Sequence, residues 1–274
     1  MKPLEPNIQI PVDLTNPGQF FACCGLLEFA DRLWPGAEGW FAKRLFCIQT
    51  VDQSKSLSEL IGEVRSMRFE VGDDVENDDD DSEEKTIVVE PICLQWKNRT
   101  PAIHLDWWSD KSIKPWAGSM NERVILRAML DAIDPSRLEP FTDLKSVLYK
   151  SPKKKNLDKK EPFYFDPRRG NKSHPLDSGF SPDKHKMQAE CCPALEALCF
   201  VGLQRARPAP TGIANQSRYT VWTQHFPANL IAPVVSGFVP NKGSSNYVFN
   251  NYFRTDQRKH KTFSQATLER TKHD

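Results

Sequence analysis

The apolar positions of this chain change period several times, and each change marks an element. Ile8-Gln9-Ile10-Pro11-Val12 alternates apolar with polar or turn residues, the period of an extended strand. Phe20, Phe21, Cys24, Leu27, Ala30 and Trp34 then recur at helical spacing and predict a helix over 19–34. Asn16 is placed to cap that helix, Pro17 suits its first turn, and Pro35-Gly36 ends it. Gly25, Glu28, Asp31 and Arg32 gather on its polar face, with Glu28 and Arg32 spaced to pair. That stripe is narrow, so the helix is expected to be mostly buried. Residues 40–48 read as a second strand, which makes the N-terminus β-α-β.

Further on, the pattern predicts a short amphipathic helix over 57–64 and a strand over 67–71. Strands over 86–96 and 102–108 form a hairpin signal across 97–101. A helix follows at 121–133, with Val124, Ile125, Met129 and Ile133 on its apolar side. Residues 163–165 and 219–223 read as strands, and 188–203 as a nearly all-apolar helix whose lone interior acid is Glu196. The apolar stretch 230–239 is broken by Pro233 and Gly237 and fits neither period. No internal repeat is visible. Together these elements predict an α+β protein, a mixed or antiparallel sheet with packed helices, compatible with a ferredoxin-like (RRM-like) core.

The 274-residue length leaves room for one continuous domain or two smaller units, 1–139 and 140–274, and the 39% hydrophobic content supports a real core. No apolar run reaches the roughly 20 residues that span a bilayer. The opening Met1-Lys2-Pro3-Leu4-Glu5-Pro6 lacks signal-peptide character, so a cytoplasmic location is expected. The seven cysteines include two adjacent pairs, Cys23-Cys24 and Cys191-Cys192, in apolar surroundings. With no CxxC among them they read as buried reduced thiols, and no metal or other cofactor is expected.

Charge alters this picture more than composition does. Residues 1–139 carry 15 Lys+Arg against 25 Asp+Glu, whereas 140–274 carry 22 against 11, so the near-neutral total hides two halves of opposite sign. The acidic half includes a run at 72–84, read as a solvated mobile loop. The basic half opens with six lysines over 150–160, read as an exposed loop. A basic half suits a polyanion partner.

The candidate contacts fall in that half. Arg168 and Arg169, followed by Lys172, stand in a turn after 163–165; Arg205 and Arg207 stand at the end of the apolar helix. Arginine forks match phosphate oxygens, although the same residues are equally placed to compensate a helix dipole or pair with Glu196 or Asp166. Arg218 adds a cation just before the 219–223 strand. Arg254, Arg258, Lys259 and Lys261 mix with Tyr247, Phe249, Tyr252 and Phe253, a combination suited to stacking bases while cations follow the backbone. Trp108 and Trp116, near Lys111 and Lys114, are candidate stacking rings, although one of the Trp107-Trp108 pair is expected in the core. No hydrolase, nucleotide-loop or zinc-protease motif is present. Asp166, Asp177 and Asp183 offer an alternative, a divalent-metal nuclease site.

Five stretches together resemble one family. They are 11–28 (Pro11-Val12-Asp13-Leu14-Thr15-Asn16-Pro17-Gly18 onward to Glu28), Leu105-Asp106-Trp107-Trp108, Lys114-Pro115-Trp116-Ala117-Gly118, 176–183, and Gly202-Leu203-Gln204-Arg205. They are similar to the third member of the Csb series of CRISPR-associated proteins, which accompanies type I-U (I-G) effector modules. The resemblance implies a non-catalytic, large-subunit-like component of a guide-RNA surveillance complex, with a ferredoxin-like backbone subunit as the alternative. Its implied partners are CRISPR RNA, target DNA and neighbouring effector subunits, with no membrane and no small-molecule substrate.

Overall fold

Asn16 starts the first helix: its side-chain oxygen accepts from the Gln19 amide at 3.1 Å, and Pro17 supplies a first-turn residue that needs no donor. The computed structural model describes residues 5–70, 90–96, 99–109, 111–116, 120–147, 149–150, 158–159, 162–170, 190–253 and 261–269. β1 (Ile8–Pro11) leads into α1 (Pro17–Leu33), then β2 (Glu38–Ala42) and β3 (Leu45–Gln49). α2 (Leu57–Ser66) precedes the hairpin β4 (Ile92–Trp96) and β5 (Arg99–Leu105), a short 3-10 turn Trp107–Ser109, and α3 (Glu122–Ala132). Short pieces follow: β6 (Lys145–Ser146), β7 (Tyr149–Lys150), β8 (Asp158–Lys159), α4 (Pro167–Gly170) and β9 (Glu190–Cys191). α5 (Pro193–Arg205), β10 (Ala209–Pro210), β11 (Gln216–Val221), β12 (Phe226–Pro227) and α6 (Ile231–Val235) come next. β13 (Ser245–Phe253), β14 (Lys261–Phe263) and β15 (Thr267–Leu268) complete the described chain.

The α+β class is as expected, and its sheets are antiparallel. One sheet runs β1-β3-β2-β12; a second runs β10-β11-β13-β14, with β15 also paired to β13. In the first sheet β3 lies between β1 and β2, so β1-α1-β2 is a split unit with one strand inserted. Its fourth strand, β12, joins on the β2 side and leaves β1 at the edge.

Two apolar helices from opposite halves of the chain meet at their glycines. A Cβ on Gly25 would collide with the Leu198 carbonyl and meet the Gly202 amide nitrogen at 3.0 Å. A Cβ on Gly202 would collide with the Phe21 carbonyl and meet the Gly25 nitrogen at 2.8 Å. Each glycine therefore faces the other's amide and the carbonyl four residues before it. This reciprocity relates α1 and α5 by a local two-fold that the sequence shows no trace of as a repeat. Backbone approaches backbone here, which only glycine permits. One apolar cluster surrounds the crossing and draws on both halves, including Phe20, Leu26, Phe29, Leu195, Phe200 and Tyr219.

Specific contacts tie the two sheets to each other and to α1. Trp222 Nε1 donates to the Gly39 carbonyl at 2.8 Å, and the Phe41 amide donates to the Trp222 carbonyl at 3.0 Å. Tyr219 stacks on Phe20 with centroids 4.2 Å apart while its hydroxyl donates to the Leu14 carbonyl at 2.7 Å.

Several sequence expectations change. Residues 40–48 are two strands in a hairpin (Phe41 opposite Phe46), because Lys43 takes a left-handed φ of 57° and turns the chain without glycine or proline. Of the strand expected over 67–71, the described residues 67–70 contribute one bridge, Arg68 with Gln95. The 163–165 stretch is buried and irregular, with Tyr164 at φ 66°. The helix expected from 188 begins at Pro193, after β9. In 230–239, Pro233 falls in the first turn of α6, where its missing donor costs nothing, and Gly237 at φ 77° closes the helix. The acidic run 72–84 lies outside the described residues, as does most of the 150–160 lysine run.

Gly202→Ala is expected to force α1 and α5 apart and destabilise the protein by about 3 kcal/mol, the upper end of overpacking costs. Gly62→Ala, with only Pro135 at 3.9 Å, should be neutral or slightly stabilising. Comparison of their urea midpoints checks the pair.

Candidate nucleic-acid interface

The same local symmetry decides the fate of one predicted contact. Glu28 and Arg205 each stand three residues past their crossing glycine, and the Arg205 guanidinium grips Glu28 at 2.5 and 2.7 Å. Arg32 donates to the same carboxylate at 2.8 Å. Burial pushes the Glu28 carboxyl up, but the bonds and charge of Arg205, then Arg32, outweigh it and hold the group below its usual range. Arg205 thus joins the two helices and is not a free phosphate contact. Neighbouring Gln204 accepts from the Asp106 and Trp107 amides at 3.0 Å each and anchors the tryptophan turn to the end of α5.

Arg168 is likewise committed. Its guanidinium meets both oxygens of fully buried Asp166, as close as 2.6 Å, and donates to the Phe141 carbonyl at 2.9 Å. Asn16 donates its amide to Asp166 at 2.9 Å, so this acid links the start of α1 to the buried 162–167 segment. Glu196, also fully buried, accepts from the Phe165 and Asp166 amides at 3.4 Å. Burial, aided by the negative charge of Asp166, pushes the Glu196 carboxyl up to about 8. Asp166 is therefore a structural acid with its oxygens occupied.

Both candidate tryptophans belong to the core. Trp108 and Trp116 are each 3% exposed and pack with Trp107 and Phe200. The strand alternation expected at Trp107-Trp108 fails because the pair sits on a 3-10 turn, where neither ring is forced outward. Phe249 is also buried, and Tyr247 stacks on Tyr219 at 5.6 Å, so these rings face the core.

What remains accessible centres on the second sheet. Phe249 fixes the inward side of β13, so Asn246, Val248, Asn250 and Tyr252 share the outward face. Register puts Arg218 opposite Val248, Gln216 opposite Asn250, and Thr220 opposite Asn246, extending that face across β11. Arg218 is partly exposed and pairs loosely with Glu269 at 3.4 Å; Arg207 is exposed just before β10. Lys261 stands opposite Phe253, on the inward side of the sheet, with its ammonium 5.0 Å from that ring and 3.2 Å from Asn215 Oδ1. The structure thus brings Arg207 and Arg218 to one sheet and leaves Lys261 on its other side. Lys172, Arg254, Arg258, Lys259, Asp177 and Asp183 lie outside the described residues, as does the side chain of Arg169. The sequence reading missed the outward amides and hydroxyls, although the polar-apolar alternation of Ser245-Asn246-Tyr247-Val248-Phe249-Asn250 carries their signal.

Among the described residues no three His, Cys, Asp or Glu side chains form a metal-holding group. Six cysteines are buried, and burial raises the thiols of Cys23, Cys24 and Cys199, which disfavours the nucleophilic thiolate. No described helix is long and apolar enough to cross a membrane. Comparison with protein-family models, curated proteins and solved structures finds no match.

Two stability measurements follow from the buried acids. A carboxyl held low in the fold stabilises it above the ordinary carboxylate range, and that contribution is lost as pH falls through the lowered value. Arg205→Ala should leave Glu28 poorly compensated and cost about 2–3 kcal/mol at pH 7. That is below the ~3–5 kcal/mol of fully buried pairs, since a third of Arg205 is in water. It should also raise the midpoint pH of acid unfolding. Glu196 has the opposite sign: the fold prefers its proton, so wild-type stability declines as pH rises from about 4.5 to about 8. Glu196→Gln should flatten that slope in urea titrations across this window, whereas Glu196→Ala should lose about 1–3 kcal/mol by orphaning two buried amides.

Proposed function

We propose that this chain is a non-catalytic subunit of a type I-U/I-G CRISPR surveillance complex. Its basic C-terminal half holds guide RNA or the target-DNA backbone, in a large-subunit-like role. The observation that supports the reading is that four of the five sequence blocks resembling one Csb family, far apart in the chain, meet in one connected assembly; the fifth, 176–183, lies outside the described residues. The first block forms α1, including Gly25 and Glu28; the last supplies Gly202, Gln204 and Arg205 opposite them. The Leu105–Trp108 block is held by Gln204, and Trp116 packs on Trp107 at 5.6 Å. Mutually dependent positions of this kind are retained as a set when a fold is inherited, which supports common descent of the core.

Charge supports the nucleic-acid part of the reading. The half that contributes the second sheet carries twice as many cations as anions, 22 against 11. Its exposed Arg207 and partly exposed Arg218 replace Arg168 and Arg205 as the phosphate contacts to test. The acidic half repels a polyanion and suits docking to basic neighbouring subunits.

Co-expression with its chromosomal neighbours, tagged purification and sizing of bound RNA tests the proposal. A stoichiometric assembly carrying RNA of one defined length is expected; recovery of the chain alone without RNA overturns it. Within the assembly, Arg207→Ala with Arg218→Ala should weaken binding across unrelated sequences. It should also reduce the log–log salt slope by about 1.4–1.8, the value for two phosphates. A slope equal to wild type removes this sheet face from the interface.

A further inference from the structure

Cys93 departs from the buried thiols that the sequence predicts. Six of the seven cysteines are buried, and Cys93 alone is partly exposed. The alternation of β4 puts it there. Ile92, Leu94 and Trp96 face the core, so Cys93 and Gln95 face outward. Register sets Cys93 directly opposite His104, which β5 turns outward between buried Ile103 and Leu105. Thiol and imidazole are therefore a cross-strand pair, the nearest neighbours that the face of a hairpin offers.

Two side chains aim at the sulfur. The Gln95 side-chain NH2 donates to Cys93 Sγ at 3.3 Å, and His104 Nε2 stands 4.0 Å from it. Arg68, paired with Gln95 in an antiparallel bridge, stands on the same outward face. The hairpin is also anchored: Arg32 donates to the Ala102 carbonyl and Trp96 Nε1 to the Glu63 carbonyl, each at 3.3 Å. A donor, a base and a cation gathered on one face around a partly exposed sulfur are the surroundings in which thiols react. The six buried cysteines lack that access.

We infer that Cys93 and His104 form a thiol–disulfide exchange site open to small disulfides. His104 takes the thiol proton as Sγ attacks one sulfur of the disulfide. A new S–S bond joins Cys93 to that half, the old S–S bond breaks, and the departing thiolate receives the proton from the imidazolium. The small disulfide is the oxidant and is itself reduced, and excess small thiol reverses the exchange. The site shares no residue with the sheet face proposed to meet nucleic acid, so each reading stands or falls alone.

The test treats the folded full chain with an aromatic disulfide, dithiobis(nitrobenzoate), whose released thiolate is coloured, and locates the adduct by peptide mass spectrometry. One thiol per chain should react in the native state, at Cys93, and Cys93→Ser should remove the reaction. His104→Ala should slow it about tenfold, short of the roughly 10²–10⁴ that a closely held base supplies, and added imidazole should restore the rate. In concentrated urea, where the hairpin is lost, wild type and His104→Ala should react alike. No native adduct, or a native adduct at another cysteine, overturns the site. A native His104→Ala rate equal to wild type, or a deficit that persists in urea, overturns the role of His104 and with it the pair.

Discussion

The crossing of α1 and α5 at Gly25 and Gly202 is the constraint on which the rest of the molecule depends. The two backbones approach so closely that each glycine contacts the other helix's main chain, with no side chain between them. Such contact gives dense packing but no tolerance for misregister. Three residues further on, Glu28 and Arg205 meet only in this register, and the ion pair therefore reports whether the helices are aligned. Gln204 then carries the alignment to the tryptophan turn, and Phe20 carries it through Tyr219 to the second sheet.

Buried charge divides the basic residues into two populations. Asp166 and Glu28 are nearly inaccessible to solvent, and each recruits an arginine because an unpaired buried carboxylate is too costly. Glu196 is in the same situation without a cation, and its preference for the proton is the alternative solution. Arg168 and Arg205 are spent in this way, the first on Asp166 in the buried segment ahead of α5 and the second on Glu28 from the last turn of α5. Among the described candidates, those left over are Arg207, just before β10, and Arg218, on β11 of the sheet beyond α5, where one face looks outward and bears amides and hydroxyls. The candidate surface is thus defined partly by subtraction: it is what the core does not use.

The sequence alone determined the elements that depend on local physics. The periodicity of 19–34, the Asn16-Pro17 start and the amphipathic run at 121–133 need only neighbouring residues to be read, and α1 and α3 follow them closely. The division of charge and the blocks that carry the family resemblance are likewise properties of the chain itself. The turn at Lys43 is local but is made by a left-handed lysine, which carries no turn signal in the sequence, whereas the 3-10 placement of Trp107 and Trp108 and the irregular course of 163–165 depended on partners far along the chain. The partners of Arg168 and Arg205 were open for the same reason, since an arginine looks identical in sequence whether it faces phosphate or a buried acid. Only the tertiary structure decided that Glu28, 177 positions away, claims Arg205, and that an alternating strand turns its amides outward. Propensity and charge are written residue by residue, whereas desolvation and backbone contact exist only once distant segments have closed on one another.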